Sequence, residues 1–300
     1  MIKNTSFWLF VTQKTLAYSD IFNNPLTEKE LWQRLITPIR IEKKKFSILL
    51  SRWQKEKKID FKAGYYFLSG KTEGIKTRKK AEKLATKKIL LAKKSAKAIA
   101  KIPFVWGVFL SGNLAVGVAT KNDDIDLVVI SAPNTLWLTR FAVYLYLKTI
   151  GRILGLRVRT PGSLETKDRL CLNLFLDYGD LEMNLESQNI FTAYQILFLK
   201  PLVSKNQTYQ RLWSKNPWIA DFIANGYQKI KLTKKEFKTG FFISTANKLF
   251  YFAQRLYMKG KPRGEKINLT QAFFHPDSKK DKALSLYQKK CKNFVAPLDI

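Results

Sequence analysis

Two aspartates one residue apart, Asp124 and Asp126, stand at the head of the apolar run Leu127-Val128-Val129-Ile130. Strand side chains alternate between faces, so the two carboxylates point the same way while Ile125 and Leu127 point into a core. Adjacent carboxylates repel each other and are costly to desolvate. A hard divalent cation, Mg²⁺ or Mn²⁺, would relieve both costs. Eleven residues separate Asp124 from Gly112, which lies in Leu110-Ser111-Gly112-Asn113 at the end of another apolar stretch. A backbone without a side chain at that point can approach phosphate oxygens closely. Acids and glycine together point to a metal–nucleoside triphosphate site. A solvated strand end and a glycine used as punctuation would give the same letters, but the apolar run after Asp126 puts the acids at the mouth of a core strand.

Such side chains need a rigid frame, and the flanking pattern supplies one. Apolar alternation predicts strands over 104–111, 124–131 and 170–177, with helices over 113–120 and 136–154, the second capped by Asn134. Arg157-Val158-Arg159 alternates as a strand or the approach to one. After 170–177 the chain turns at Tyr178-Gly179-Asp180 and is expected to return as a hairpin strand through Leu181, Met183 and Leu185. The expected class is α/β (α+β), a mixed β-sheet with flanking helices.

The strand, the Gly112-Asn113 turn, the short helix and then Asp124-Ile125-Asp126 on the next strand resemble the DNA polymerase β-like nucleotidyltransferase superfamily. The resemblance covers about residues 103–202. It implies an NTP with its phosphates over Ser111, Gly112 and Asn113, Mg²⁺ or Mn²⁺ held by Asp124 and Asp126, and an acceptor hydroxyl attacking the α-phosphorus. The family's third carboxylate belongs on the strand at 170–177, where this chain has Asn173; an amide oxygen can ligate a metal but brings no charge and cannot act as a base. Asp177, on the same face but four residues on, roughly 13 Å along an extended strand, is the alternative third metal ligand given a different register, and Glu186 a further one. Asn113 stands where Ser or Gly is usual, and Asp123 where a Ser often precedes the first acid. Arg140, Lys167 and Arg169 are candidates for phosphate or acceptor contacts.

Ahead of this region, residues 1–70 have the rhythm of a winged helix-turn-helix. A helix over 15–22 is followed by Thr27 and Glu30 at capping-box spacing, a short helix with Leu31, Trp32 and Leu35, and a helix over 44–57 with Phe46, Leu49, Leu50 and Trp53 on one face. Two short strands around Ala63-Gly64 form the wing. The third helix carries Lys43, Lys44, Lys45, Arg52 and Lys55, as a DNA-reading helix would, although many such domains bind only proteins. Residues 71–102 read as a basic connecting helix with Ala85, Ile89, Ala92, Ala96 and Ile99 along one stripe. Residues 203–300 read as a basic, mainly helical region.

Charge is distributed unevenly. Lys and Arg exceed Asp and Glu by 25 to 8 over residues 1–102 and by 20 to 6 over 203–300, whereas residues 103–202 hold 9 of each; the net charge is +31. A basic excess confined to the flanks favours a polyanionic partner, RNA before DNA, through phosphate contacts and counterion release. A lysine-rich compositional bias would raise lysine everywhere but would not make acids scarce only outside the centre. No apolar run reaches the roughly 20 residues of a membrane span. The cluster at 7–11 is too short for a signal peptide. Cys171 and Cys291 form no disulfide framework, so a reducing cytoplasm is expected, and His275 with two separated cysteines makes no zinc set. Two functions follow: metal-dependent transfer of NMP from NTP to an acceptor hydroxyl on RNA, protein or a small molecule, or non-catalytic nucleic-acid binding on a degenerate nucleotidyltransferase domain.

Overall fold

The computed structural model describes residues 5–68, 73–159, 165–233, 237–259, 266–274, 278–292 and 294. Its first helix, α1 (Thr5–Asp20), starts ten residues earlier than the pattern predicts. The reason is packing: Phe7, Trp8 and Val11 fill the same core as Leu16, while the Thr12 and Thr15 hydroxyls donate to the carbonyls of Trp8 and Val11 at 2.7 and 2.8 Å. Polar letters that looked like a break are thereby satisfied inside the helix. Helix α2 (Glu28–Gln33) opens with the expected capping box. The Glu30 amide donates to Thr27 Oγ1 at 3.3 Å, and the Thr27 amide donates to the Glu30 carboxylate at 2.9 Å. Helix α3 (Lys43–Lys55) buries Phe46, Leu50 and Trp53 against Leu31 and Leu35. The hairpin β1 (Asp60–Lys62) and β2 (Tyr65–Phe67) turns through Ala63 and Gly64, both at positive φ, as a two-residue turn requires.

Helix α4 (Glu73–Ile99) buries Ile99 and the small residues Ala85, Ala92 and Ala96, which let a lysine-covered helix lie close to the sheet. Two of its basic residues face inward. Arg78 pairs with Glu30 at 2.8 Å and Glu82 at 2.7 Å and also bonds Asn24, which ties α4 to α2 and the turn that precedes it. Lys88, 6% exposed, donates to the carbonyl oxygens of Asp123 at 2.6 Å and Lys121 at 3.3 Å and to the Asp168 carboxylate at 2.7 Å.

The remaining elements run β3 (Val105–Leu110), α5 (Gly112–Ala115), β4 (Ile125–Ser131), α6 (Leu136–Tyr146), β5 (Leu170–Asp177), α7 (Ile190–Leu197), β6 (Lys200–Ser204), α8 (Thr208–Lys215), α9 (Ile219–Phe222), α10 (Phe241–Met258), β7 (Lys266–Ile267), β8 (Gln271–Phe273) and α11 (Ser278–Cys291). A six-stranded mixed sheet has the order β6-β3-β4-β5-β8-β7, with β4 and β5 parallel and every other pair antiparallel. Alternation along β4 serves two cores. Leu127 and Val129 face the one shared with α4 and α6, and Val128 and Ile130 face the one shared with α7 and α9.

Other expectations change. The helix expected over 113–120 is the single turn α5, and Gly117 at φ +81° leads out of it. The helix expected over 136–154 runs to Ile153, with a π turn at Leu147–Gly151 set into it after Tyr146. Asn134 does not cap it; the amides of Trp137 and Leu138 instead donate to Asn247 Oδ1 on α10, at 2.8 and 3.2 Å. The return strand through Leu181, Met183 and Leu185 does not form beyond a single Asp177–Asp180 bridge. Strand β8, from the region read as mainly helical, takes the edge of β5 in its place. Among the described residues no helix is long and apolar enough to cross a membrane.

Candidate functional site

The site forms where β3 ends and β4 begins. Their antiparallel pairing closes with the Ser111 amide donating to the Asp126 carbonyl at 2.9 Å, so the turn after β3 lies directly against the first acid of β4. Gly112 takes φ +66°, a left-handed conformation that side chains disfavour. A Cβ there would lie 2.9 Å from Asp126 Oδ2. Glycine is favoured by the backbone conformation, and any side chain there would have to displace the Asp126 carboxylate.

Parallel pairing sets Asp126 beside Cys171 on β5. One ligand atom from each of Asp124, Asp126 and Cys171 lies within 4.8 Å of the others. Asn173, two residues along β5 and nearly buried, donates through its amide to Asp126 Oδ1 at 2.9 Å. Arg159, from the segment that bridges to β5 at Val158, pairs with Asp124 at 2.6 Å. Burial opposes the Arg159 charge, but the Asp124 carboxylate outweighs it and holds the guanidinium above its ordinary range. Burial, with Asp126 and Asp124 nearby, pushes the Cys171 thiol well up, so it stays protonated at neutral pH.

The turn into β4 is braced from outside. Asp123 accepts from the Thr120 amide at 2.8 Å and from the Thr120 hydroxyl, closing the loop on itself. Lys88 gathers the carbonyls of that loop from α4. Ser111, Gly112, Asn113, Asp126 and Asn173 form one end of a cleft of about 410 Å³ that extends between the end of α1, α7 and α11. Its far end is aromatic. Tyr18 stacks on Tyr194 with ring centroids 4.5 Å apart, and the buried Arg34 guanidinium lies 4.8 Å from the Phe198 centroid. Lys290 of α11 closes on Asp20 of α1 at 2.5 Å.

Six of the predicted site residues thus come together: Ser111, Gly112, Asn113, Asp124, Asp126 and Asn173. Asp177 does not join them. It pairs in register with Ser131, five residues along β4 from Asp126, and accepts from the amides of Gly179 and Thr135 at 2.8 and 3.2 Å. Four residues beyond Asn173 on the same face, it needs a different register to reach the acids, and the observed register leaves it at the other end of the sheet. Arg140 is also elsewhere, packed over the rings of Phe274 and Tyr144 and bonded to Gln254. Arg169 pairs with Glu165, Lys167 is exposed, and Glu186 lies in the single turn Leu185–Ser187. Cys171, Arg159 and Lys88 escaped the sequence reading. Alternation on β5 placed Cys171 on the face of Asn173 and was the available signal; Lys88 was indistinguishable from its solvated neighbours.

The donor chemistry suits one hard divalent cation. Two carboxylates offer oxygen ligands within reach of each other, whereas a protonated thiol is no ligand for Mg²⁺. Among the described residues no third carboxylate belongs to the cluster. No protein-family model matches the chain, and neither a curated protein nor a solved structure matches it.

Proposed function

We propose that the chain is a nucleotidyltransferase that transfers NMP from an NTP to an acceptor hydroxyl, with the fold of the polymerase β-like superfamily behind a winged-helix-like N-terminal unit. One observation carries the reading: the Ser111–Gly112–Asn113 backbone is folded onto the Asp126 carboxylate at the mouth of a cleft. A phosphate-binding turn and a metal-binding acid need that contiguity, and a solvated Asp-x-Asp does not.

In this reading Ser111, Gly112 and Asn113 hold the phosphates, and Asp124 and Asp126 hold Mg²⁺ or Mn²⁺. The bound ion would supply charge neutralisation for pyrophosphate and acidify the attacking hydroxyl. Asn173 keeps Asp126 turned toward the cleft. Arg159, already beside Asp124, is a fixed cation for the triphosphate once the carboxylate is otherwise engaged. The acceptor hydroxyl gives up its proton to solvent, and its oxygen forms the new bond to the α-phosphorus as the bond to pyrophosphate breaks. The basic flanks favour RNA as acceptor, and a reducing cytoplasm is the setting proposed.

A specific observation favours a second reading. Arg159 and the Asn173 amide already satisfy Asp124 and Asp126 without a metal. A non-catalytic nucleic-acid-binding protein on a degenerate nucleotidyltransferase domain would look the same. Incubation with Mg²⁺ or Mn²⁺, each α-³²P-labelled NTP and RNA, then protein extract, separates the two. Label transfer that falls at least about 100-fold in Asp124→Ala and Asp126→Ala supports the transferase. No transfer, with RNA still bound by both variants, supports the binding protein.

A further inference from the structure

Helix α10 has two apolar faces. One is committed: Asn247 caps α6, and Gln254 donates to the Trp137 carbonyl at 2.8 Å, so this side of the helix is turned inward. On the opposite side Phe242, Leu249, Phe252 and Leu256 recur at steps of seven, three and four and are all exposed, Phe242 by 86%. Helix α6 lies alongside, joined by the Phe141–Phe250 ring contact at 4.8 Å, and its own Phe141 and Leu145 are exposed as well. The π turn continues the trend with Ile150, and Ile153 beyond it is 85% exposed. Apolar exposure on this scale marks a surface that is covered in use.

Charge identifies the cover. Residues 132–159 and 237–259 contain no Asp or Glu. Lys248, Arg255 and Lys259 on α10 and Lys148 and Arg152 after α6 are exposed around the apolar stripe. Aromatic and aliphatic side chains with a cationic border and no acid are the composition of a helix that lies in the headgroup region of an anionic bilayer. A second copy of this chain would bring the same cationic border and another net +31 charge against it, which opposes self-association. A nucleic acid would meet the lysines but leave Leu249 and Leu256 against water.

We propose that the α6–α10 face docks the protein on anionic lipid, with α10 lying in the plane of the interface and its exposed stripe among the acyl chains. The proposal does not depend on the chemistry at Asp124 and Asp126. No spanning helix is needed, and none is present among the described residues.

The test is co-sedimentation of the full chain with phosphatidylcholine vesicles, with and without phosphatidylglycerol, at physiological salt. Binding is expected only to the anionic vesicles. The double variant Leu249→Ser/Phe252→Ser keeps every charge and should bind at least about tenfold more weakly. Because both residues are exposed, an unchanged melting temperature will show that the variant is folded; Leu256→Ser/Phe242→Ser is the independent replacement if it is not. Wild-type binding that the apolar variants leave unaltered would be general lysine attraction and would overturn the proposal. So would absence of binding to the anionic vesicles.

Discussion

Gly112 shows how one residue can be held by backbone and side-chain constraints together. Gly112→Ala would place a methyl against Asp126 Oδ2 and force an L-residue to φ +66°. The expected outcome is a loss of about 1–3 kcal/mol in urea denaturation and loss of Mn²⁺ binding by calorimetry, because the carboxylate must move. Asp177 gives a second residue-scale prediction. Burial pushes its carboxyl up to about 6, although the amides of Gly179 and Thr135 and the Ser131 hydroxyl favour the charged form. The folded state then binds the proton more tightly than the unfolded chain, so this group contributes stability below pH 3.8 that is lost as pH rises through about 6. At about 1.4 kcal/mol per unit the loss is at most ~3 kcal/mol. Asp177→Asn should flatten the decline between pH 4 and 6 in chemical melts; an unchanged slope would assign it to another group. The glycine and both acids were readable from letters alone. Asp177 needs a different register of β5 to reach the acids, and its pairing with Ser131 does not supply one.

Among the elements, α4 does more than connect. Its Lys88 binds two carbonyls and a carboxylate of the segments that deliver Asp124. Lys88→Met keeps the length of the side chain and leaves those oxygens without their donor. We expect a cost of about 1–3 kcal/mol and faster amide exchange at Asp123 and Ile125, with the far end of β4 unaffected. Uniform loosening of the sheet would contradict a local bracing role. The stripe of Ala85, Ala92 and Ala96 was visible as helical periodicity, and so was the capping box of α2. The partner of β5 was not. Leu181 and Met183 alternate as a hairpin strand would, yet both are buried beside Leu176 without pairing, and the Met183 amide donates to Asn216. Alternation reports that one face is covered, and it carries no record of what covers it.

At the scale of the molecule, charge and apolar surface are segregated. The sheet region is neutral and the flanks carry the whole excess. Binding of single-stranded RNA should therefore weaken steeply with salt, with a slope of log K against log salt beyond about −3, the release expected from roughly four phosphates. A slope near zero, measured by fluorescence anisotropy, would remove RNA as the partner of the flanks. Charge, the glycine–Asp-x-Asp spacing, the core strands and the cap of α2 were legible in the chain because each depends on residues within a turn or a strand of one another. Other features depended on the fold: Cys171 beside Asp126, Arg159 on Asp124, Lys88 under the loop, β8 at the edge of β5 and the outward stripe of α10. Each of these joins segments tens of residues apart, or rests on which helix face the sheet has already occupied, and local patterning carries no term for either.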